Sequence, residues 1–286
     1  MYNVAERLHQ LVDEALREDV GDGDHSTLCC IPPDRRGTAV LKIKQEGVIA
    51  GIEVAAAIFA QKDPACRFTR IKSDGDTMVP GEKAFEVQAS VHTILKCERL
   101  VLNCMQRMSG IATLTRRYVN AIAGYRSQIL DTRKTTPNFR LCEKEAVRIG
   151  GAVNHRFGLF DMIMLKDNHI DYCGGLELAI ERAWEYVQAV RPGLRIEVET
   201  RNLADVLVVT GAGRGKVSRI LLDNFSPAQI REALELTGGD FETEASGGIT
   251  LDNIRDYAAT GVDFISSGAL IHQATSVDLS LKAVFS

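Results

Sequence analysis

From residue 127 onward the chain alternates short apolar runs with helical patterns, and this rhythm restricts the fold more than any other feature. The runs are Gln128–Leu130, Met162–Leu165, Ile196–Val198, Ile220–Leu222, Phe241–Glu244 and Phe264–Ser266. The clearest helix between them is Leu176–Val190, where Leu176, Ala179, Ile180, Ala183, Trp184, Val187 and Val190 fall on one stripe. Strand–helix repetition of this kind implies parallel strands covered by helices. No Gly-rich dinucleotide fingerprint follows the first strand and no Walker sequence appears, so a (β/α) barrel is favoured over an open sheet.

Each apolar run ends in residues with chemistry. They are Asp131–Thr132–Arg133–Lys134, Lys166–Asp167–Asn168, Glu199, Asp223–Asn224, Ser246–Gly247–Gly248 and Ser267–Gly268. In a barrel the C-terminal strand ends converge on one mouth, where active sites lie. One polar strand end is commonplace; six in phase are not. Early ends supply cations, middle ends supply Glu199 and Asp223, and late ends supply small residues. Two carboxylates without His or Cys neighbours suit Mg²⁺, or the hydroxyls of a sugar. Glycines after the late strands let backbone N–H groups approach a phosphate, and a helix beginning at Thr250–Leu251–Asp252 adds its dipole. The plain alternative is a tight turn that needs glycine for φ > 0.

Residues 131–170 carry seven Lys or Arg against five acids, in a chain of net charge −4. A local cationic patch in an acidic protein points to a small anionic ligand rather than nucleic acid, which calls for a broader basic face. Arg140, Lys144 and Arg148 read as a solvated helix face. Arg133, Lys134, His155, Arg156 and Lys166 do not, because each sits beside turn residues or at the end of an apolar run.

The first hundred residues have a different texture. Residues 1–20 carry apolar positions at helical spacing with charges throughout, so they are neither a signal peptide nor a membrane span. Glu18–Thr27 reads as a Gly/Asp-rich structural turn. Thr38–Gly51 reads as strand, turn, strand; Glu53–Ala60 as a short helix; Phe68–Lys72 and Lys83–Ala89 as further antiparallel strands. Helical period returns over Ile94–Ala123, with Arg99 read by default as a surface residue and Met108–Thr113 as the passage into the second domain. Seven cysteines offer no disulfide framework and no zinc spacing, which favours a reducing, cytoplasmic setting.

DTRKTTP, GGAVNHR and MIMLKDNHI resemble the quinolinate phosphoribosyltransferase family, and EDVGDGD, ERLVLN, SGIAT, LLDN and EASGGITLDN extend the likeness over nearly the whole chain. The resemblance implies an N-terminal α/β sandwich domain over 1–108, completed by the tail 270–286, and an incomplete (β/α) barrel over 109–269. It implies a homodimer that condenses quinolinate with phosphoribosyl pyrophosphate, giving nicotinate mononucleotide, pyrophosphate and CO2. By motif, Arg133, His155, Arg156 and Lys166 correspond to the quinolinate pocket, with Arg99 a further contact supplied by the partner subunit. Lys134 corresponds to a contact near the pyrophosphate and reacting centre. Glu199 and Asp223 correspond to the ribose and Mg²⁺ side, and Thr132, Ser246, Gly247, Gly248, Ser267 and Gly268 complete the substrate contacts. Whether His155 touches a substrate carboxylate or orients Arg156 stays open. Asn138–Phe139 stands where relatives often have Gly-Leu, and Thr210–Val217 is slightly longer than usual.

Three rivals remain at this stage. A phosphoribosyltransferase of the ModD type would share the ribose-phosphate half and differ in the acid pocket. A barrel lyase would use Lys166 as a Schiff base, which neighbouring arginines disfavour by keeping the amine protonated. A non-catalytic barrel is disfavoured because nothing expected for the transfer is missing.

Overall fold

The computed structural model describes residues 3–284, which form two compact units. The first takes the chain up to Arg116, Thr135–Gly151 and the stretch from Leu270 on; the second takes Arg117–Lys134 and Ala152–Ala269.

The first unit contains α1 (Val4–Val20), α2 (His25–Cys30), β1 (Arg36–Ile43), β2 (Gly47–Val48), α3 (Ile52–Lys62), β3 (Arg67–Arg70), β4 (Thr77–Met78) and β5 (Lys83–Ser90). α4 (Val91–Ala121) follows. An antiparallel sheet runs β3, β5, β1 and a last strand from residues 279–284, while β2 and β4 pair separately. Period-two alternation explains the buried face. Ala39, Leu41 and Ile43 lie opposite Val87, Phe85 and the tail residues Leu281 and Leu279, all buried. Phe59 of α3 meets this sheet in a cluster with Phe68 and Phe85, with ring centroids 4.5–6.4 Å apart.

One sequence expectation is corrected here. The Gly/Asp stretch is not a loop to its end: α2 starts at His25, with Asp24 accepting from the Thr27 N–H at 3.2 Å as its N-cap. The helical period read over Ile94–Ala123 is the continuous helix α4, which includes Met108–Thr113. The polar groups of that segment serve the neighbouring chain. Ser109 Oγ accepts from the Ala50 N–H at 2.9 Å, and Thr113 Oγ1 accepts from the Val48 N–H at 2.9 Å. A Cβ on Gly110 would collide with the Thr275 carbonyl, so glycine is what lets the returning tail cross the helix.

The second unit is built from β6 (Gln128–Leu130), with α5 (Arg140–Gly150) following in the chain but packing in the first unit. Then come β7 (Ile163–Leu165), α6 (Asp167–Cys173), α7 (Leu176–Ala189), β8 (Ile196–Thr200), α8 (Leu203–Ala212) and β9 (Arg219–Asp223). α9 (Pro227–Thr237), β10 (Glu242–Ser246), α10 (Ile254–Ala258), β11 (Phe264–Ser266), α11 (Ala269–His272) and the tail strand β12 (Leu279–Val284) complete the chain. Six parallel strands lie in the order β6-β11-β10-β9-β8-β7. A parallel bridge between Leu130 and Val153 extends the β6 edge. The result is the expected α/β fold, with an incomplete barrel. Ala179, Ile180, Ala183 and Val187 bury the α7 stripe, whereas Val190 lies past its end and is exposed.

The reading of α5 as a solvated basic helix fails for Lys144, which is buried together with Glu143. Glu143 accepts from Arg107 Nε and Nη2 at 3.0 and 2.9 Å, and from the Thr136 N–H and Oγ1 at 2.7 and 2.9 Å. Those bonds pin the segment that follows Lys134. Asn138 in that segment has φ 62°, the left-handed region. Asn tolerates that region better than most residues, so its standing where relatives often have Gly is a conservative exchange.

Candidate active site

Strand register places the site. In-register partners of a parallel sheet share a face, as do residues i and i+2. Glu197 pairs with Arg219, Glu242 with Arg219, Glu199 and Glu244 each with Leu221, and Ser246 with Asp223. One face of the sheet therefore carries Glu197, Glu199, Arg219, Asp223, Glu242, Glu244 and Ser246. The other face carries Ile196, Val198, Ile220, Leu222 and Ala245, all buried. Barrel interiors are ordinarily filled by branched apolar side chains. This one is a polar ladder in three rungs.

The lowest rung joins Arg219 Nε and Nη2 to Glu242 Oε2 at 3.0 and 2.9 Å, with the guanidinium 4.1 Å from the Phe264 ring centroid. The middle rung is fully buried. Arg219 Nη1 donates to Glu244 Oε2 at 2.9 Å, and His155 Nε2 stands 2.9 Å from Glu197 Oε2 and 3.3 Å from Glu244 Oε2. Burial pulls the His155 imidazole down, but its hydrogen bonds to Glu197 and Glu244 outweigh this and push it up to about 9. Burial, then the charge of Glu244, pushes the Glu197 carboxyl up to about 7. The top rung, at the strand ends, is Glu199, Asp223 and Ser246, all half-buried.

Around this mouth the structure places the cations singled out in the sequence. Lys166 caps α6, and its Nζ is 3.4 Å from Glu199 Oε2. His155 and Arg156 follow the Val153 bridge and are buried. Asp131 Oδ1 accepts from the His155 N–H at 2.8 Å, and His155 Nδ1 stands 2.6 Å from the Arg156 backbone N. Arg156 Nη1 donates to the Met162 carbonyl at 3.1 Å, and its buried Nε has no protein partner. Burial and then the charge of Arg133 lower the Arg156 guanidinium from its usual range, so the two arginines are near enough to repel. Arg133 and Lys134 are exposed, and Thr132 Oγ1 accepts from the Lys134 N–H at 3.0 Å.

The late loops carry the small residues. Gly247 has φ 96°, and a Cβ there would strike the side chain and backbone N of Asn224. Gly248 has φ 61° with open space beyond it. Asn253 accepts from the Thr250 N–H at 2.8 Å and donates to the Gly248 carbonyl at 3.1 Å, holding the loop. Ser267 is buried and donates to the Ile249 carbonyl. The expected helix start at Thr250–Asp252 is displaced: α10 begins at Ile254 and has five residues. A dipole that short adds little, so anion binding here falls to the loop backbone.

A mouth with repelling arginines, a lysine beside a carboxylate pair and an open glycine loop suits a di-acid together with a phosphorylated sugar. Two family models divide the chain between them. One, described as "Quinolinate phosphoribosyl transferase, N-terminal domain", matches residues 24–109, and its C-terminal counterpart matches 111–282. The chain belongs to the quinolinate phosphoribosyltransferase family. It is 44% identical over 288 residues to "Quinolinate phosphoribosyltransferase (decarboxylating) 1" of Nicotiana glauca, covering 96% of this chain and 82% of that one. Identity is 38% to the "Probable nicotinate-nucleotide pyrophosphorylase (carboxylating)" of Bacillus subtilis, covering 98% and 94%. The crystal structure of NadC from Streptococcus pyogenes superposes with a TM-score of 0.90 at 39% identity, covering 100% of both chains.

Arg99 is exposed on α4 in the first unit. In the 210–217 segment, Arg214 pairs with Asp240 at 2.7 Å and Lys216 pairs with Glu181, so both charges have surface partners. The sequence reading missed Glu197, Arg219, Glu242 and Glu244. The signal was available: Glu197 and Glu242–Glu244 precede Glu199 and Ser246 by even steps and so share their face.

Proposed function

We infer that the enzyme transfers the phosphoribosyl group of phosphoribosyl pyrophosphate to quinolinate, with decarboxylation, giving nicotinate mononucleotide, pyrophosphate and CO2 in de novo NAD synthesis. The carrying observation is the buried Arg156 guanidinium, with its Nε unpartnered beside the charge of Arg133. A buried guanidinium with a donor to spare is stabilised by a carboxylate, and quinolinate supplies two.

The roles divide as follows. Arg133, Arg156 and Lys166 grip the carboxylates, with His155 at their base and Arg99 contributed by the partner subunit of a homodimer. The glycine loop at Gly247–Gly248, with Ser246, Ser267, Gly268 and Thr132, holds the ribose phosphate. Glu199 and Asp223 face the ribose, where positive charge builds as the pyridine nitrogen attacks C1′ and pyrophosphate departs. Lys134 meets the departing pyrophosphate. The quaternised pyridinium then accepts the electron pair released as CO2 leaves, so no acid–base pair is required.

Glu199 and Asp223 also fit Mg²⁺: they offer only carboxylate oxygens, half-buried, at the ends of neighbouring strands. When bound, the ion would neutralise charge on the leaving pyrophosphate. The enzyme works in the cytoplasm. Some plant relatives are labelled mitochondrial or chloroplastic, and no helix among the described residues is long and apolar enough to cross a membrane.

The test is nicotinate mononucleotide formation from quinolinate, phosphoribosyl pyrophosphate and Mg²⁺, with nicotinate replacing quinolinate in parallel. Product from quinolinate alone, lost in Arg133→Ala and on chelation, supports the assignment. No product from quinolinate with folded protein refutes it.

A further inference from the structure

The middle rung of the ladder does not reach the mouth, yet both of its carboxylates converge on His155. The ligand atoms of His155, Glu197 and Glu244 lie within 4.8 Å of one another, a spacing that would suit a metal ion. Arg219 already brings a positive charge to Glu244 at 2.9 Å, and a cation beside it would be repelled. The cluster reads instead as a brace. His155 is held at its ring by Glu197 and Glu244 and at its backbone by Asp131, so three strands fix one residue. Arg156 is the next residue, its backbone N 2.6 Å from the remaining ring nitrogen, so the brace also fixes the backbone from which the buried guanidinium projects.

We propose that Glu197 and Glu244 are positioning residues for the di-acid pocket, holding His155 and, through the backbone that joins it to Arg156, setting where Arg156 meets a substrate carboxylate. This rests on the quinolinate reading of that pocket. Neither carboxylate touches substrate. Each acts on acid binding through His155. Deep ion clusters in a barrel can also be purely structural, and the two roles separate in kinetics. A structural cluster lowers the fraction of folded protein, whereas a positioning cluster changes one Michaelis constant in protein that is fully folded.

The test uses Glu197→Gln, which keeps shape and an acceptor, with Glu244→Gln as a second variant if the first folds poorly. Steady-state rates are measured with each substrate varied in turn, beside wild type, after a thermal melt shows a folded sample. Misplacing Arg156 is expected to raise the KM for quinolinate about 10-fold or more, with little change in the KM for phosphoribosyl pyrophosphate. Glu242→Gln, which touches Arg219 but not His155, is expected to leave both constants near wild type. Folded Gln variants with an unchanged quinolinate KM, or with both constants raised together, overturn the positioning role alone. Wild-type enzyme that does not turn over quinolinate overturns both this role and the assigned reaction.

Discussion

Arg156→Lys tests the acid pocket most directly, because it keeps the charge and removes only the planar fork. Nη1 is committed to the Met162 carbonyl, so Nε and Nη2 form the edge left for a ligand. Two parallel charge-assisted bonds to one carboxylate follow from that geometry. A lysine offers one point charge on a longer tether and cannot reproduce the pair. Losing one charge-assisted hydrogen bond costs about 2–3 kcal/mol, which corresponds to a rise of about 30- to 150-fold in the KM for quinolinate. The Met162 bond is lost as well, at about 1 kcal/mol of stability. The assay is initial-rate formation of nicotinate mononucleotide, with quinolinate varied at saturating phosphoribosyl pyrophosphate and then the reverse. The expected pattern is a large rise in one constant, the other little changed, and a melting temperature lowered by about 2 °C. A quinolinate KM within about threefold of wild type would mean that no bidentate contact exists there.

Three further outcomes follow from the geometry. The pKa of His155 is pushed up to about 9 in the fold from an ordinary 6.5, so its stabilising charge is complete below pH 6.5 and lost as pH rises through 9. That loss is worth about 3 kcal/mol; urea midpoints of wild type and His155→Gln should converge between pH 6 and pH 10, and a pH-independent gap would contradict it. Glu143→Ala removes the buried acceptor of Arg107 and of two Thr136 donors, leaving Arg107 only the Ile271 and Ala274 carbonyls, and urea unfolding should show a loss of about 3–5 kcal/mol; a loss within experimental error would mean that the two carbonyls suffice. Gly247→Ala forces φ 96° on a residue with a Cβ against Asn224; the KM for phosphoribosyl pyrophosphate should rise while that for quinolinate holds, and a rise in both would place the loop elsewhere in the mechanism.

The barrel was legible because its strands are short apolar runs punctuated by turns, a pattern local enough to read without neighbours. The mouth was legible for the same reason: Lys166, Glu199, Asp223 and Ser246 sit where apolar character stops. What stayed hidden depends on pairing. Glu197 and Glu244 lie inside otherwise apolar runs, and only strand register shows that Arg219 and His155 stand opposite them. Lys144 looks solvated in sequence because its helix carries charges all round, and its burial follows from packing that no local pattern contains. Ser109 and Gly110 both disfavour helix interiors. They are tolerated in α4 because Ser109 satisfies the Ala50 backbone and Gly110 makes room for Thr275.

The tail strand has a consequence during synthesis. β1 at residues 36–43 draws one neighbour from β5, but the other comes from residues 279–284, which follow the whole second unit in the chain. At about 5–20 residues per second, β1 waits on the order of 10–50 seconds for that partner. Throughout the interval it presents an open, apolar edge that can pair with another nascent chain. Newly made chains are therefore most exposed to aggregation before residues 279–284 emerge, and a molecule lacking those residues would stay in that condition.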